Sequence, residues 1–334
     1  MEQTKKRSGL GRRMLRVLAG LLALLLGLAA FFTLAPLTER VDKSSVDGSA
    51  DWMSRLNDSL LLSEINLPGT HDSATQYVQL AWFSKCQALS IREQLEAGVR
   101  YLDIRLGADG ERLKLMHGFT NCKESFDGST LDFLTVAAMC NYFVSEHPTE
   151  TVILAVKQEH GEESVAQFQR MLDTVININP RDWLLTDTIP SLGEARGKMV
   201  LMRRYEDEAG LGERAGIPLL WPSQKGYQDT SLNTTAVDNG SYTLWVQDRF
   251  EYNSEDKWAA FIAGLEQNGA EKGDIALHFL STKGTAAYGH PYAFAKDLNQ
   301  RFFKTELPEG ERIGWIVLDF VSAELAAHIY ETNF

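Results

Sequence analysis

Cysteine is scarce in this chain. Three cysteines, Cys86, Cys122 and Cys140, occur among 334 residues. Three thiols cannot all pair with one another, and their spacing matches no metal-ligand motif. The sequence therefore excludes a disulfide-rich scaffold and a cysteine zinc site. One bridge, between Cys122 and Cys140, stays open at this point.

Basic residues are also in short supply. Lysine and arginine number 33 against 45 aspartates and glutamates, and the net charge is −12. Six of the basic residues fall within the first sixteen positions, so the rest of the chain is more acidic still. Proteins that grip phosphate backbones need basic stripes, so we expect no nucleic-acid partner. Internal repeats and low-complexity segments are lacking too, which excludes a repeat or fibrous protein.

One long hydrophobic run stands near the N-terminus. Residues 17–37 carry no charge and follow a basic tail at residues 1–16. Twenty-one such residues can cross a bilayer as a helix, and basic flanks stay in the cytoplasm. We favour an uncleaved anchor that leaves the remaining chain extracytoplasmic. The alternative is a signal peptide cleaved after Ala29, which would give a secreted protein.

Beyond a polar linker at residues 38–50, residues 51–334 form one globular unit in which strands and helices alternate. Apolar runs predict strands at 65–67, 100–106, 113–116, 152–157, 199–204, 243–247, 275–280 and 313–319. Helical patterns lie at 90–97, 131–146, 163–175, 254–268 and 291–303, with a closing helix after Ser322. Eight strands alternating with helices predict an α/β fold, a distorted single-domain (β/α)8 TIM barrel. A doubly wound open sheet is the alternative.

Ionisable side chains follow nearly every predicted strand. Catalytic groups of a barrel lie at the C-terminal ends of its strands. After the first strand, a Pro-Gly pair indicates a turn that delivers a histidine and an aspartate together. The groups at the strand ends are His71, Asp72, Arg105, His117, Lys157, Arg203, Arg204, Asp248 and Asp319. Any one of these groups has an ordinary structural explanation. Ionisable groups at seven strand ends together predict a single catalytic site at the C-terminal end of the barrel.

This set of residues indicates a chemistry. Two histidines suit a paired general base and general acid near neutral pH. Clustered arginine and lysine suit an anionic transition state, such as that of a transferring phosphoryl group. Metal binding is the competing use of histidine and aspartate. A central arginine disfavours it, because the guanidinium repels a cation and already supplies positive charge.

Several motifs resemble one known family. They are "LPGTHDSAT", "SIREQLEAGVRYLDIRL", "LMHG", "HPTETVILAVKQEH", "GKMVLMRRY", "VQDRF" and "RIGWIVLDF". In this order, over roughly residues 51–321, they are similar to the X domain of phosphatidylinositol-specific phospholipase C in its bacterial, metal-independent form. The resemblance implies a distorted barrel that cleaves phosphatidylinositol to diacylglycerol and an inositol phosphate through a 1,2-cyclic intermediate. It implies no metal and no cofactor.

The resemblance also implies catalytic roles. His71 would be the general base on the inositol 2-hydroxyl, oriented by Asp319. His117 would be the general acid for the diacylglycerol oxygen, coupled to Asp72. Arg105 would hold a non-bridging phosphoryl oxygen.

Four further positions match substrate-binding positions of the family. Lys157, Arg204 and Asp248 would bind the inositol hydroxyls. Phe250 stands where the bacterial enzymes have a tyrosine against the inositol ring, and it keeps the stacking face without the hydroxyl. Two other functions stay open. The same fold could cleave glycosylated inositol-lipid anchors or another phosphodiester lipid, or it could bind lipid headgroups without catalysis.

Overall fold

The structure is a computed structural model. It describes residues 3–34, 39, 41–42, 44–225, 234–266, 271, 273–285 and 289–334. Parts of two predicted segments, the linker 38–50 and the end of the helix 254–268, lie outside the described residues.

The N-terminal helix α1 spans Gln3–Leu34. Its stretch Gly11–Leu34 has 24 residues and contains an 18-residue window with a mean hydropathy of 2.5, which is long and apolar enough to cross a bilayer. This stretch includes most of the predicted run 17–37, of which residues 35–37 lie outside the described part. Nearly all of α1 projects away from the globular unit. Its last turn does not, because Phe31 and Phe32 contact the rings of Trp82 and Phe83.

A mixed sheet forms the centre of the globular unit. The described strands are β1 Leu67–Thr70, β2 Tyr101–Asp109, β3 Arg112–His117, β4 Thr120–Asn121, β5 Val152–Gln158, β6 Trp183–Leu184, β7 Met199–Arg203, β8 Ile217–Pro218, β9 Thr235–Asp238, β10 Thr243–Gln247, β11 Ile275–Phe279 and β12 Trp315–Leu318. Their order is β6-β7-β5-β2-β1-β12-β11-β10-β9. All neighbours on this path are parallel except β9 and β10. The first strand therefore pairs with the last, as a barrel requires.

Helices follow the strands and cover the sheet. They are α2 Ala81–Ser84, α3 Ile91–Glu96, α4 Phe133–Glu146, α5 Val165–Ile176, α6 Leu192–Ala195, α7 Ser254–Glu266, α8 Pro291–Phe303 and α9 Ala323–Tyr330. The capping box predicted for α3 is present. The Ser90 hydroxyl accepts the Glu93 amide at 3.2 Å, and the Glu93 carboxylate accepts the Ser90 amide at 2.7 Å. Both bonds satisfy amide groups that the first helical turn leaves free.

The third predicted strand is not a barrel strand, and that part of the prediction is wrong. Residues 112–117 form β3, which runs antiparallel to β2 with Leu115 opposite Leu106. Asp109 pairs with Arg112, so the two-residue loop Gly110-Glu111 reverses the chain, and Gly110 has a φ of +63°. The hydrophobic pattern of β3 resembles that of a barrel strand, so periodicity alone could not separate the two.

The barrel is distorted at one side, between β8 and β9. Within the described residues, no main-chain ladder joins these two strands. Side chains cross the gap instead. The Leu220 amide donates to Asn239 Oδ1 at 2.8 Å, and Gln224 Nε2 donates to Thr235 Oγ1 at 3.1 Å. We call this side of the barrel the seam.

The core is tightly packed, and all three cysteines are part of it. Cys86, Cys122 and Cys140 are buried free thiols, so the bridge between Cys122 and Cys140 is not formed. At the N-terminal ends of the strands, the buried side chains of Arg100 and Glu150 form an ion pair at 2.8 Å. Rigid packing below the strand ends fixes the positions of the residues that follow them.

Candidate active site

A cavity of about 770 Å³ opens at the C-terminal ends of the strands. We call it the catalytic pocket. Eight of the nine predicted site residues line it: His71, Arg105, His117, Lys157, Arg204, Asp248, Phe250 and Asp319. The ninth, Asp72, lies directly beneath His71 and is 2% exposed.

The end of β1 positions His71 and Asp72. Pro68 and Gly69 lie inside β1 and pair with β12 on one side, so the turn predicted at this pair begins later. A Cβ at Gly69 would stand 2.8 Å from the Tyr101 ring, which explains the need for glycine. The chain leaves the strand at His71, whose amide donates to the Leu318 carbonyl at 3.0 Å. Asp72 then adopts a φ of +44°, a conformation that aspartate tolerates better than most residues.

His71 is held between two carboxylates. Its Nδ1 lies 2.8 Å from Asp319 Oδ1, and its Nε2 lies 3.2 Å from Asp72 Oδ2. Burial alone would lower the pKa of His71, but the charges of Asp319 and Asp72 outweigh it, and the pKa is raised. The Asp319 contact favours the tautomer with the proton on Nδ1. Nε2 is then free to accept a proton from a ligand in the pocket.

Asp72 links three functional side chains through one oxygen. Its Oδ2 lies 3.2 Å from His71 Nε2, 3.6 Å from His117 Nε2 and 3.2 Å from Arg105 Nη1. These are charge contacts and not hydrogen bonds, since neither carboxylate oxygen of Asp72 accepts a hydrogen bond among the described residues. The two imidazoles and the guanidinium therefore converge on the same buried charge.

Arg105 is fixed by residues of its own strand and the next. Its Nε and Nη2 each lie 3.0 Å from Asp103 Oδ2, and its Nη1 lies 3.4 Å from Glu159 Oε1. Burial lowers the pKa of Arg105, yet the surrounding carboxylates outweigh it and raise that pKa well above its ordinary value. The guanidinium is a permanent, oriented positive charge at the floor of the pocket.

Asp103 pairs two arginines. Its second oxygen accepts a hydrogen bond from Arg204 Nη1 at 2.9 Å. Burial opposes ionisation of Asp103, but Arg105 and Arg204 together hold its pKa far below the usual range. Asp103 and Arg105 are two apart on β2 and so lie on the same face of the strand. That alternation, visible in "YLDIRL", indicates the pair.

His117 comes from the hairpin rather than from a barrel strand. β2 continues past the mouth to Asp109, and β3 returns, so that His117 lies two residues beyond Leu115, back at the level of the pocket. Its Nδ1 donates to the Ser84 carbonyl at 2.7 Å. This bond leaves Nε2 facing the pocket, and the two histidine rings are 6.3 Å apart.

The far side of the pocket carries the remaining predicted residues. The Arg204 guanidinium stacks 3.9 Å from the centre of the Trp221 ring, and Trp221 Nε1 donates to Asp248 Oδ2 at 3.1 Å. Arg203, the neighbouring cation at the end of β7, does not line the pocket. It donates to the Tyr205 carbonyl at 2.7 Å instead.

Sequence reasoning missed two residues of this side. Glu159 pairs with Lys157 at 2.5 Å as well as with Arg105. Burial raises the pKa of Glu159, but Arg105 and Lys157 outweigh it and lower that pKa to about 2. Glu159 lies two residues beyond Lys157, so the alternation rule could have indicated it. Trp221 follows the two-residue strand β8 and gave no comparable signal.

The donor atoms of the pocket also allow a test for metal binding. His71, Cys86 and Asp319 bring their ligand atoms within 4.8 Å of one another, as do Asp72, Cys86 and His117. Burial raises the pKa of the Cys86 thiol well above its ordinary value, which disfavours the thiolate that a metal requires. The Arg105 charge lies 3.2 Å from Asp72 and opposes a cation in the second group. The donor set fits a metal poorly.

The fold and the pocket define a barrel protein with two histidines and a buried arginine at its mouth. Comparison with known proteins identifies the class more narrowly. Residues 67–205 match the family model described as "Phosphatidylinositol-specific phospholipase C, X domain". The match includes most of the motifs that predicted this resemblance.

Bacterial relatives extend the match over most of the chain. The "1-phosphatidylinositol phosphodiesterase" of Staphylococcus aureus (strain Newman) is 28% identical over 289 residues, covering 81% of this chain and 88% of the relative. The protein of the same name from Listeria monocytogenes is 27% identical over 308 residues, 87% of each chain. These relatives are bacterial proteins, as the resemblance implied, and they cover more of the chain than the family model does.

Solved structures agree with the fold. A phosphatidylinositol-specific phospholipase C structure from Staphylococcus aureus has a TM-score of 0.70 at 24% identity, covering 86% of this chain and 98% of that one. The enzyme of that name from Listeria monocytogenes has a TM-score of 0.62 at 22% identity, with 86% and 99% covered. At identities this low, the structural matches are evidence for the fold alone. They confirm the distorted TIM barrel.

Proposed function

We propose that this chain cleaves phosphatidylinositol to diacylglycerol and inositol 1,2-cyclic phosphate, and then opens the cyclic ester to inositol 1-phosphate. One observation carries the proposal. His71 and His117 each hold Nδ1 in a hydrogen bond and present Nε2 to one pocket, beside the Arg105 guanidinium. Two imidazoles and a fixed cation are what an internal phosphoryl transfer requires.

In the first step, His71 Nε2 accepts the proton of the inositol 2-hydroxyl. The hydroxyl oxygen attacks phosphorus as the bond to the glycerol oxygen breaks. His117 Nε2 donates a proton to that leaving oxygen. Asp319, 2.8 Å from His71 Nδ1, stabilises the imidazolium that forms. The roles reverse in the second step, in which His117 activates water and His71 returns the proton to the 2-oxygen.

Arg105 acts on the charge that develops at phosphorus. Asp103 fixes the planar guanidinium through Nε and Nη2, so an Nη1 hydrogen that Glu159 does not accept can be donated to a non-bridging phosphoryl oxygen. A preorganised donor of this kind stabilises the transition state more than the ground state. Because Asp72 also contacts both histidines, it can hold His117 and Arg105 in register.

The inositol ring would occupy the opposite side of the pocket. Lys157, Arg204 and Asp248 supply charged and hydrogen-bonding groups for its hydroxyls, and Phe250 supplies an apolar face. Trp221 joins this group, because it stacks on Arg204 and donates to Asp248.

The topology belongs to the same proposal. We assign α1 as an uncleaved anchor, with residues 51–334 as the catalytic unit on the extracytoplasmic side. The 24-residue stretch Gly11–Leu34 supports it, since it is almost fully exposed in the structure and needs an apolar surrounding. The basic residues that precede it favour a cytoplasmic N-terminus.

The deciding experiment uses the full-length protein in detergent with mixed micelles of phosphatidylinositol. Phosphorus NMR should show a cyclic phosphate first and a phosphomonoester later. The variant with both His71→Ala and His117→Ala is the control and should give neither signal. Equilibrium binding of the lipid without product would contradict the proposal in favour of a headgroup-binding protein. Turnover restricted to glycosylated inositol lipids would contradict the substrate.

A further inference from the structure

A second groove of about 570 Å³ lies beside the catalytic pocket, and we call it the rim groove. Thr33, in the last turn of α1, forms one wall. Phe119 and Phe126, in the connection that follows β3, form the opposite wall. The buried side chains of Val78 and Ala81 lie between them. The groove is thus built partly by the barrel and partly by the N-terminal helix.

The rim groove is continuous with the catalytic pocket. Leu80 and Phe119 line both cavities. Their side chains are 43% and 65% exposed, which is unusual for large apolar residues next to a charged pocket. A ligand in the pocket could therefore extend over these two residues into the groove, whose lining also includes the polar side chains of Gln76, Gln79, Lys85 and Lys123.

The rim groove lies on the side of the catalytic pocket where the leaving group of the proposed reaction would be. Phe119 is two residues from His117, the group that would protonate the leaving oxygen. The leaving alcohol must lie on the His117 side of phosphorus, because proton donation requires hydrogen-bond reach. A leaving diacylglycerol therefore points at Leu80, Phe119 and the groove, and not at the inositol side.

Aromatic contacts join the last turn of the N-terminal helix to the barrel beside the rim groove. Phe31 packs on Trp82 with ring centres 4.9 Å apart, and Phe32 packs on Phe83 at 5.2 Å. Trp82 and Phe83 belong to α2, and the next residue, Ser84, supplies the carbonyl that orients His117. The end of α1 is therefore joined to the same segment that borders the pocket.

We infer that the rim groove binds the glycerol-proximal part of the acyl chains of the substrate lipid, and that the anchor helix forms part of the substrate site. The inference rests on the proposed function, because it takes the leaving group to be diacylglycerol. An acyl chain gains from contact with apolar walls, and the groove opens beside a helix that would stand in the same lipid layer. The lipid then leaves the bilayer along the helix that anchors the enzyme.

Two substitutions test the groove in the full-length protein. Thr33→Trp fills it from the helix side, and Phe126→Ala removes an apolar wall from the barrel side. Each should lower kcat/KM for phosphatidylinositol in mixed micelles by about tenfold. Neither should change kcat/KM for a water-soluble inositol phosphodiester whose leaving group is methanol. Leu34→Trp and Phe303→Ala are the matched controls, since both residues are about half exposed and neither lines the groove.

The outcomes separate the inference from the proposed function. If the groove variants lose kcat/KM equally on both substrates, or on neither, the rim groove does not bind the acyl chains. The proposed catalytic roles would be unaffected by that result. Absence of turnover in the wild type on both substrates would instead contradict the proposed function.

A second measurement does not depend on turnover. A diacylglycerol with a photoactivatable group near the glycerol should label the peptide that contains residues 119–126, and Thr33→Trp should abolish that labelling. Labelling confined to residues 11–34 would mean that the lipid contacts only the exposed helix, and it would overturn the inference.

Discussion

Asp72 connects the three residues that we propose as the acid, the base and the phosphoryl-binding cation. It is nearly fully buried, and one of its oxygens lies within 3.6 Å of His71, His117 and Arg105. The sequence predicted that His71 and Asp72 serve the same site, because they are adjacent and follow a strand. The resemblance also implied that Asp72 is coupled to His117. The residues alone could not predict that one oxygen of Asp72 contacts both histidines, since that contact depends on how far the β2–β3 hairpin folds back.

Removal of either histidine should affect turnover rather than binding. Each transfers a proton only in the transition state, so His71→Ala and His117→Ala should each lower kcat by about 10² to 10⁴ with little change in KM. The double variant should lose less than the product of the two single losses. Steady-state kinetics of the purified variants measure this, and folded single variants with near-wild-type turnover would contradict the assignment.

The raised pKa of His71 sets the acid side of the pH profile. A general base must be neutral, so kcat/KM should fall as the pH falls through that pKa, which lies above the ordinary value for histidine. Asp319→Asn removes the closer carboxylate and lowers the pKa of His71. The acid limb should then move to lower pH, while kcat at its plateau falls by about 10²-fold. Asp297→Asn, on the surface of α8, is the control and should leave the profile unchanged.

Arg105 should be irreplaceable by lysine. Arg105 faces Asp103 with Nε and Nη2 and faces Asp72 and Glu159 with Nη1, and an ammonium cannot reproduce that planar arrangement. Arg105→Lys should lower kcat by about 10²-fold, whereas Arg203→Lys, outside the pocket, should behave as wild type. Wild-type activity should also survive excess EDTA. Loss of turnover in EDTA that calcium restores would show that the arginine is not the cation at the phosphate.

The sequence predicted where most strands end. It predicted the connections between the strands only in part. Short apolar runs, which alternate with helical patterns along the chain, correctly predict β5, β7, β10, β11 and β12. They do so because buried parallel strands are short and almost wholly apolar. The hairpin β2–β3 was mistaken for two barrel strands, although the Asp109-Gly110 pair indicates a tight turn. His117 was nevertheless predicted at the mouth, since the hairpin returns it to the level of the other strand ends.

Gln87 links the first and last strands just below the pocket, and sequence reasoning did not indicate it. Its Nε2 donates to the His71 carbonyl at 2.9 Å and to the Leu318 carbonyl at 2.8 Å. It is fully buried in the segment between α2 and α3. Nothing in the local sequence predicts such a long-range bond, because its partners lie 16 and 231 residues away.

Gln87→Leu should therefore loosen the junction of β1 and β12. The buried His71 carbonyl would lose the Gln87 donor, the Leu318 carbonyl would keep only the His71 amide, and the Val321 amide would lose its Gln87 acceptor. These losses should lower the free energy of unfolding by about 1 to 3 kcal/mol. Turnover should fall as well, because His71 and Asp319 follow these two strands. Urea denaturation and steady-state kinetics measure the two effects. Gln76→Leu, which breaks bonds at the partly exposed surface, should cost less, and equal losses would contradict the role of Gln87.

At the scale of the whole molecule, the N-terminal helix decides where the enzyme works. An uncleaved anchor predicts that the mature protein begins at the native N-terminus and stays in the membrane fraction after an alkaline carbonate wash. Terminal sequencing and fractionation measure this. A soluble mature form beginning near Ala30 would contradict the anchor and leave the catalytic proposal untouched. The length and charge of the segment predict a helix that can span a bilayer, but they cannot decide between retention and cleavage.

The seam between β8 and β9 gives substrate binding a mechanical side. Trp221 follows β8 and Asp248 follows β10, so their hydrogen bond connects the two lips of the gap. An inositol ring held by Arg204 and Trp221 on one side and by Asp248 on the other would join parts of the barrel between which the described residues form no main-chain ladder. Part of the intrinsic binding free energy is then consumed in ordering the protein. The measured affinity for inositol phosphates should consequently understate the strength of the individual contacts.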